Sequence, residues 1–441
     1  MTSFELSRTL AELKRNEKYD EALQLFRQEK NSLTPEKIAG NFYIVADMLT
    51  ILRKAGHPRA AFAFLREYGV EIGTDTPERI LLAYGWVVYD LYKRDNEAGR
   101  FNPHTFLEQL RHIVPLLERY DTPYTKSVLS ALLRIVSKVE KSRSSVSWEY
   151  LLEITALFDP AKLSTECTTI TGERRGRQQA VELASGLENW YALRSKALIE
   201  TKRFHEALEI SREALQRLEM FHFSNDYWFA RRIALAYEAL GESEEAIRIL
   251  EQILSHRKEW FIQWKLAELH YRAGKQEEAF DYAMAAITGP GKLPYKVGLL
   301  ELIGDMLMQR SQERMALAHY RLAHRVRQSQ GWKVSHELTG KCRWERQENF
   351  PTQKELNVYW HECLRERLPH GHIVRILHDN ERGMDGFLVS AGESYYFRLP
   401  AGHRLREEIV ESMEVIFEPV IGRNERLSAR IVGYVPREEA A

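Results

Sequence analysis

The sequence predicts a mostly α protein, a solenoid of helical hairpins followed by a small all-β barrel. Three observations predict it. Apolar residues recur at three- and four-residue spacing from about Phe4 to Glu348, with turn signals between the periodic runs. Two segments of that region repeat with an offset of 33 residues. From His370 the texture changes abruptly to short alternating runs rich in Val, Ile, Tyr and Phe, separated by Gly and Asn.

Taken from the N-terminus, residues 1–163 read as a helical domain with degenerate hairpins. KYDEALQLF (Ala22, Phe26) and GHPRAAFAFL (Gly56, Ala61, Leu65) carry the small and apolar residues of a helix crossing. The stretch from Trp86 to Phe158 is helical without a clear repeat. Two polar breaks, 137–148 and 164–177, are expected as exposed loops, and the second marks a domain boundary.

Residues 178–350 read as the repeat array. ARRIALAYEALGESEEAIRILEQI (230–253) aligns with QWKLAELHYRAGKQEEAFDYAMAA (263–286), so that Gly241 matches Gly274 and Ala246 matches Ala279. In a helical hairpin, Ala234 and Ala267 let the two helices approach and the glycine turns the chain. Ala246 and Ala279 then sit where the second helix crosses the first. Flanking copies carry Ala207 and Ala214, with Lys202 in place of the turn glycine, and Gly304, Ala316, Tyr320 and Ala323. The crossing alanines 207, 246, 279 and 316 are spaced by 39, 33 and 37 residues, so inserts lengthen some connections. This pattern resembles the tetratricopeptide repeat (TPR), which implies an α-solenoid whose concave face binds a protein partner. By analogy Asn189, Lys196, Trp228, Arg231, Trp264 and Tyr271 face that groove, and Trp and Arg are the residue types of binding hot spots. Packing between hairpins is the other reading of these aromatic residues. The Lys/Asn clamp with which some such repeats hold a C-terminal carboxylate is not reproduced.

Pro351 and Pro369 bracket a linker helix within 351–369, and residues 370–436 follow as the barrel. HIVRIL, DGFLV, SYYFRL, MEVIFEPV and LSARIVGYV read as five strands. Their order resembles the cold-shock or S1-type OB-fold. That resemblance implies single-stranded nucleic-acid binding by aromatic stacking and nearby cations, with RNA favoured. GMDGFL stands at the family's Gly-Phe strand, so Phe387 matches its second aromatic. Tyr396 and Arg398 share a face of the next strand because they are two residues apart. Arg375 matches a first-strand basic position and Arg382 lies in the following turn. Ile376 replaces the Trp usual in cold-shock proteins, Met384 or Asp385 replaces the first Phe, and Asp385 brings a negative charge.

The chain of 441 residues has 63 Lys+Arg against 63 Asp+Glu, which excludes binding by bulk positive charge. Residues 371–436 hold eight Arg, no Lys and ten acidic residues, a net charge of −2. Residues 321–350 hold seven basic and three acidic residues, with Trp332 and Trp344 interleaved, and extend a path to the barrel or form a solvated helix face. The GERRGR turn (172–177) is a second basic spot.

Catalytic signatures are absent from the sequence: no G-x-x-x-x-G-K-[ST], no G-x-S-x-G and no H-E-x-x-H. His361, Glu362 and Cys363 cannot converge from adjacent positions on one helix, and His370 and His372 lack visible co-ligands. Cys167, Cys342 and Cys363 show no C-x-x-C spacing, which speaks against a disulfide framework or a structural zinc site and suits a reducing cytosol. No apolar N-terminal segment or spanning run appears, so a cytoplasmic protein without membrane contact is expected. The combination of FHFSNDYWFARRIALAYEALG, RKEWFIQWKLAELHYRAG and PYKVGLLELIGDML with the barrel resembles accessory proteins of prokaryotic conflict and stress operons. The resulting expectation is a non-enzymatic adaptor without cofactor or metal: the repeats bind a protein and the barrel binds single-stranded RNA or DNA. The alternative is a pure protein–protein scaffold in which the barrel docks.

Overall fold

The computed structural model describes residues 1–142, 147–174, 177–256, 259–342, 350–403, 405–421 and 427–434. Trp344 and the tip of the GERRGR turn lie outside them. The chain divides into two units, Met1–Ile253 and Leu254–Ala441. The protein is mostly helical, with TPR-like hairpins and a closed five-stranded barrel at its C-terminal end.

In the first unit, α1 (Ser3–Arg15) and α2 (Tyr19–Glu29) form one hairpin, α3 (Pro35–Ala39) is a single turn, and α4 (Phe42–Lys54) with α5 (Pro58–Glu67) forms the next. Four helices follow, α6 (Glu78–Glu97), α7 (Pro103–Glu118), α8 (Pro123–Ser142) and α9 (Trp148–Leu157), of which α6 ends in a left-handed turn at Gly99. The unit continues with strands β1 (Thr168–Arg174) and β2 (Arg177–Leu183), then hairpins of α10 (Gly186–Glu200) with α11 (Phe204–Arg217) and α12 (Asn225–Ala239) with α13 (Ser243–His256). Asp47, 1% exposed on α4, is clamped by Lys14 of α1 at 2.5 Å and Arg79 of α6 at 3.2 Å. A buried carboxylate needs such partners, and here they join three helices.

Two expected loops are instead regular structure. Residues 137–142 complete α8, because the stripe of Leu132, Val136 and Val139 is buried and carries the helix onward. Residues 168–174 and 177–183 pair antiparallel, with Ile170 opposite Val181. The β-branched run Thr168–Thr171 favours a strand even though its polarity reads as a loop.

The second unit holds the hairpins of α14 (Trp260–Arg272) with α15 (Gln276–Thr288) and α16 (Val297–Gln309) with α17 (Glu313–Ser329), then α18 (His336–Lys341) and α19 (Gln353–Glu366). The carbonyls at the end of α15 are capped by a buried lysine: Lys296 Nζ donates to Ala286 O at 2.9 Å, Ile287 O at 3.0 Å and Gly289 O at 2.6 Å. Helix α19 docks through Trp360, whose Nε1–H donates to His319 Nε2 of α17 at 2.7 Å. The indole is donor only, so the other ring nitrogen of His319 carries the proton and donates to Met315 O at 2.7 Å. Just past α19, Arg367 pairs with Glu277 and Asp281 of α15.

All six hairpins share one turn. Glu17, Gly56, Lys202, Gly241, Gly274 and Ser311 each have positive φ, between 58° and 91°. Each is followed by a residue whose N–H reaches back five positions, for example Arg203 to Leu198 O and Lys275 to His270 O, while the turn residue itself reaches back three. This pair of bonds is the Schellman cap. The crossing alanines Ala22, Ala61, Ala207, Ala246, Ala279 and Ala316 are all 0% exposed. The two N-terminal hairpins therefore belong to the same class as the clear repeats, as their Ala and Gly positions predict.

The barrel comprises β3 (His370–Asn380), β4 (Gly383–Ser390), β5 (Glu393–Pro400), β6 (Glu414–Ile421) and β7 (Leu427–Tyr434). It closes in the order β3-β4-β5-β7-β6, with β5 and β7 parallel and the other pairs antiparallel. This is an OB-fold-like arrangement. Its core is Ile373, Leu388, Phe397, Leu399, Val415, Phe417 and Ile431.

Left-handed backbone strains a residue with a Cβ by about 1–2 kcal/mol. Ser311→Gly and Lys202→Gly should each therefore raise stability in urea unfolding by about 1 kcal/mol, and Gly241→Ala should lower it by a similar amount. The buried His319 gives a second expectation. Burial lowers its pKa from 6.5 to about 4, so below pH 6.5 the unfolded chain binds a proton that the folded chain refuses. The stability held by this group is complete above pH 6.5 and is lost as pH falls toward 4. Its size is on the order of 3 kcal/mol. Unfolding midpoints measured at pH 7.5, 6 and 5 should fall more steeply for the wild type than for His319→Gln.

Candidate nucleic-acid interface

The interface is built by three neighbouring strands, β3, β4 and β5. Along a strand successive side chains alternate between faces. On β4, Met384 and Leu388 point into the barrel and are 4% and 0% exposed, which turns Asp385 and Phe387 outward. On β5, Phe397 and Leu399 point inward and Tyr396 and Arg398 outward, as the sequence spacing predicts. Strand β3 does not keep a strict alternation. Irregularities between Ile373 and Arg375 and between Ile376 and His378 shift its register, so Arg375 pairs with Phe387 and His378 with Asp385. Gly386 lets the two strands close at this point, since a Cβ there would stand 2.2 Å from Arg375 O.

The result is two rows across three strands. Arg375, Phe387 and Tyr396 form one; His378, Asp385 and Arg398 form the next. The rings of Phe387 and Tyr396 meet edge to face, with centroids 5.7 Å apart. Arg382, in the turn between β3 and β4, lines a concavity of about 240 Å³ together with His378, Asn380, Asp385, Tyr396 and Arg398. All five barrel residues singled out from the sequence thus lie on or beside one face. Ile376, at the position of the missing Trp, packs against the barrel core instead.

Asp385 acts mainly on its neighbours. Tyr396 Oη donates to Asp385 Oδ2 at 2.7 Å, and His378 Nδ1 lies 2.9 Å from Oδ1. The tyrosine hydrogen bond, followed by that of His378, holds the Asp385 carboxyl below its ordinary pKa, and the same bond pushes the Tyr396 hydroxyl up. The carboxylate fixes the Tyr396 ring and is itself screened by cations. Elsewhere on the barrel, acids are engaged away from this face: Asp379 pairs with Arg406 at 2.6 Å, Glu414 with His370 at 2.8 Å, and Glu411 accepts the Ile376 N–H at 2.8 Å. The net charge of −2 is therefore unevenly spread, and this face collects Arg375, Arg382 and Arg398 around one carboxylate. His378 and Asn380 escaped the sequence reading because their facing depends on the irregularities in β3.

The six groove positions divide between the units. In the first, Asn189 donates to Ala184 O and Ser185 O, just ahead of α10, while Lys196 pairs with Glu140 and lies 5.1 Å from the Trp148 ring. Trp228 is 37% exposed, with the Arg231 guanidinium 5.7 Å from its ring. In the second, Trp264 stacks on Trp260 at 6.1 Å and the Tyr271 hydroxyl accepts from Gln309 at 2.7 Å. Packing is thus a visible role for Trp264 and Tyr271. Trp228 and Arg231 present the more open surface. On α19, His361 and Glu362 are exposed, whereas Cys363 packs against the helical core and burial pushes its thiol pKa up.

No family model matches the chain, and no curated protein matches it. Among solved structures, YrrB, "a TPR protein with an unusual peptide-binding site", is 12% identical, covers 50% of this chain and 96% of its own, and has a TM-score of 0.31. A tetratricopeptide repeat protein from Parabacteroides merdae is 13% identical, covering 77% of this chain and 97% of its own with a TM-score of 0.28. A human IFIT1 dimer with PPP-AAAA is 16% identical, covering 73% and 66%, with a TM-score of 0.32. At such scores these chains do not superpose as wholes on this one. The fold assignment rests on this chain's own turns, helix crossings and strand order. No helix among the described residues is long and apolar enough to cross a membrane.

Proposed function

We propose that this protein is an adaptor whose barrel binds single-stranded nucleic acid, RNA in preference, and whose helical hairpins bind a protein partner. One observation supports the first half above the rest: Arg375, Phe387, Tyr396 and Arg398 stand in adjacent rows on one open sheet face, with Arg382 at its edge. Unpaired bases stack on aromatic side chains, and guanidinium groups hold the phosphates. Among the described residues Arg375 and Arg382 have no carboxylate in ion-pair range, which leaves their charge for a ligand. For the second half, the exposed Trp228 and the half-buried Arg231 beside it are the residue types of a hot spot. Such an adaptor fits the accessory role in conflict or stress operons that the sequence resemblance implies. No step of chemistry is assigned to it.

Fluorescence anisotropy of the full chain with short single-stranded RNA and DNA at low and moderate salt tests the barrel. Stacking contributes about 1–3 kcal/mol per base. Phe387→Ala or Tyr396→Ala should therefore weaken binding by roughly 5- to 150-fold, whereas Tyr396→Phe, which keeps the ring, should change it little. Arg375→Ala should lower the slope of log affinity against log salt by about 0.7 if it holds one phosphate. Binding that survives Phe387→Ala with Tyr396→Ala refutes this face. No binding at low salt refutes the nucleic-acid role and favours the barrel as a protein-docking module.

A further inference from the structure

We propose that Cys167, Glu182 and His222 form a zinc-binding site in the first unit, with Glu188 orienting the histidine. The three residues come from different elements: Cys167 precedes β1, Glu182 is on β2, and His222 lies between α11 and α12. Their ligand atoms all lie within 4.8 Å of one another, and His222 Nε2 is 3.5 Å from Glu182 Oε2. Tetrahedral ligands held 2.0–2.3 Å from zinc stand roughly 3.3–3.8 Å apart, so the spacing requires only a slight closing around the ion.

The orientation of His222 separates this cluster from a chance surface contact. Glu188 is 1% exposed and sits in the first turn of α10. Its Oε1 accepts the His222 backbone N–H and Asn225 Nδ2, both at 2.7 Å, and its Oε2 lies 2.8 Å from His222 Nδ1. The Nδ1 proton therefore goes to Glu188, and Nε2 faces Glu182 and Cys167. Imidazole nitrogen, carboxylate oxygen and thiol sulfur, converging at this spacing, are the donor set of a zinc site. A histidine held through one nitrogen by a carboxylate while the other meets the metal is a recurrent metal-site arrangement.

One sulfur, one imidazole nitrogen and one carboxylate oxygen match zinc rather than magnesium or calcium, which take oxygen ligands. Three protein ligands leave a fourth position for water. The ion would fasten the β1–β2 hairpin to the start of α12.

The test uses the purified full chain, stripped with a chelator and titrated with Co²⁺ and then Zn²⁺. The expected result is one ion per chain, a thiolate-to-Co²⁺ charge-transfer band, and displacement of Co²⁺ by Zn²⁺. Cys167→Ser should abolish the band, and Glu188→Gln should weaken affinity about 10- to 100-fold while keeping it. Cys342→Ser and Cys363→Ser should leave both unchanged. Zn²⁺ should also slow alkylation of Cys167 in the wild type, a readout that survives if a variant misfolds. A chain that binds no stoichiometric ion, or whose Cys167 alkylates at the same rate with Zn²⁺, overturns the site and leaves a His222–Glu182 ion pair only.

Discussion

The helical part depends on one constraint: at each hairpin, two helices cross where a methyl group is the largest side chain that fits. Six alanines occupy the crossings and none touches solvent. Extra methylenes at such a point force backbone shifts that typically cost about 1–3 kcal/mol. The left-handed turn residue serves the same geometry, because it reverses the chain within a few residues and saturates the carbonyls that the first helix leaves open. Crossing and turn are both local to a hairpin. That is why the connections between hairpins differ in length while each hairpin keeps its form.

Buried polar groups then specify what packs on what. Asp47 joins α1, α4 and α6 through Lys14 and Arg79. Lys296 ends α15 by filling three carbonyls, and its burial lowers its pKa to about 8. The Trp360–His319 bond fixes α19 to α17. Each group is partnered from a neighbouring element, so a mispositioned helix would strand a polar atom in the core, a penalty of about 1–3 kcal/mol.

Fold and site were legible in the sequence to different depths. Hairpins announce themselves because small residues and turn residues recur at fixed spacing, even where Lys202 or Ser311 stands in for glycine. The five strands show through period two, and so does the shared face of Tyr396 and Arg398. Facing on β3 did not, since irregular pairing lets residues three apart share a side and brings His378 onto Asp385. The hairpin at 168–183 hid behind its polar composition. Cys167, Glu182 and His222 are too far apart along the chain for any motif spacing; only the pairing of β1 with β2 and the loop before α12 bring them together. Groove positions inferred by analogy had a different weakness. Asn189 and Trp264 are already engaged within the chain, the first by hydrogen bonds to Ala184 O and Ser185 O and the second by stacking on Trp260.

The barrel face holds its positive charge on arginine alone, and no lysine follows Lys354 anywhere in the chain. Guanidinium groups do not lose their proton at any physiological pH, and their planes can lie flat against a base or grip a phosphate with two parallel bonds. The face is therefore closed to one common form of control: acylating enzymes and amine-directed reagents find nothing on it to modify. What stays open to the cell is the salt around the face, and modification of the Tyr396 hydroxyl or of the arginines themselves.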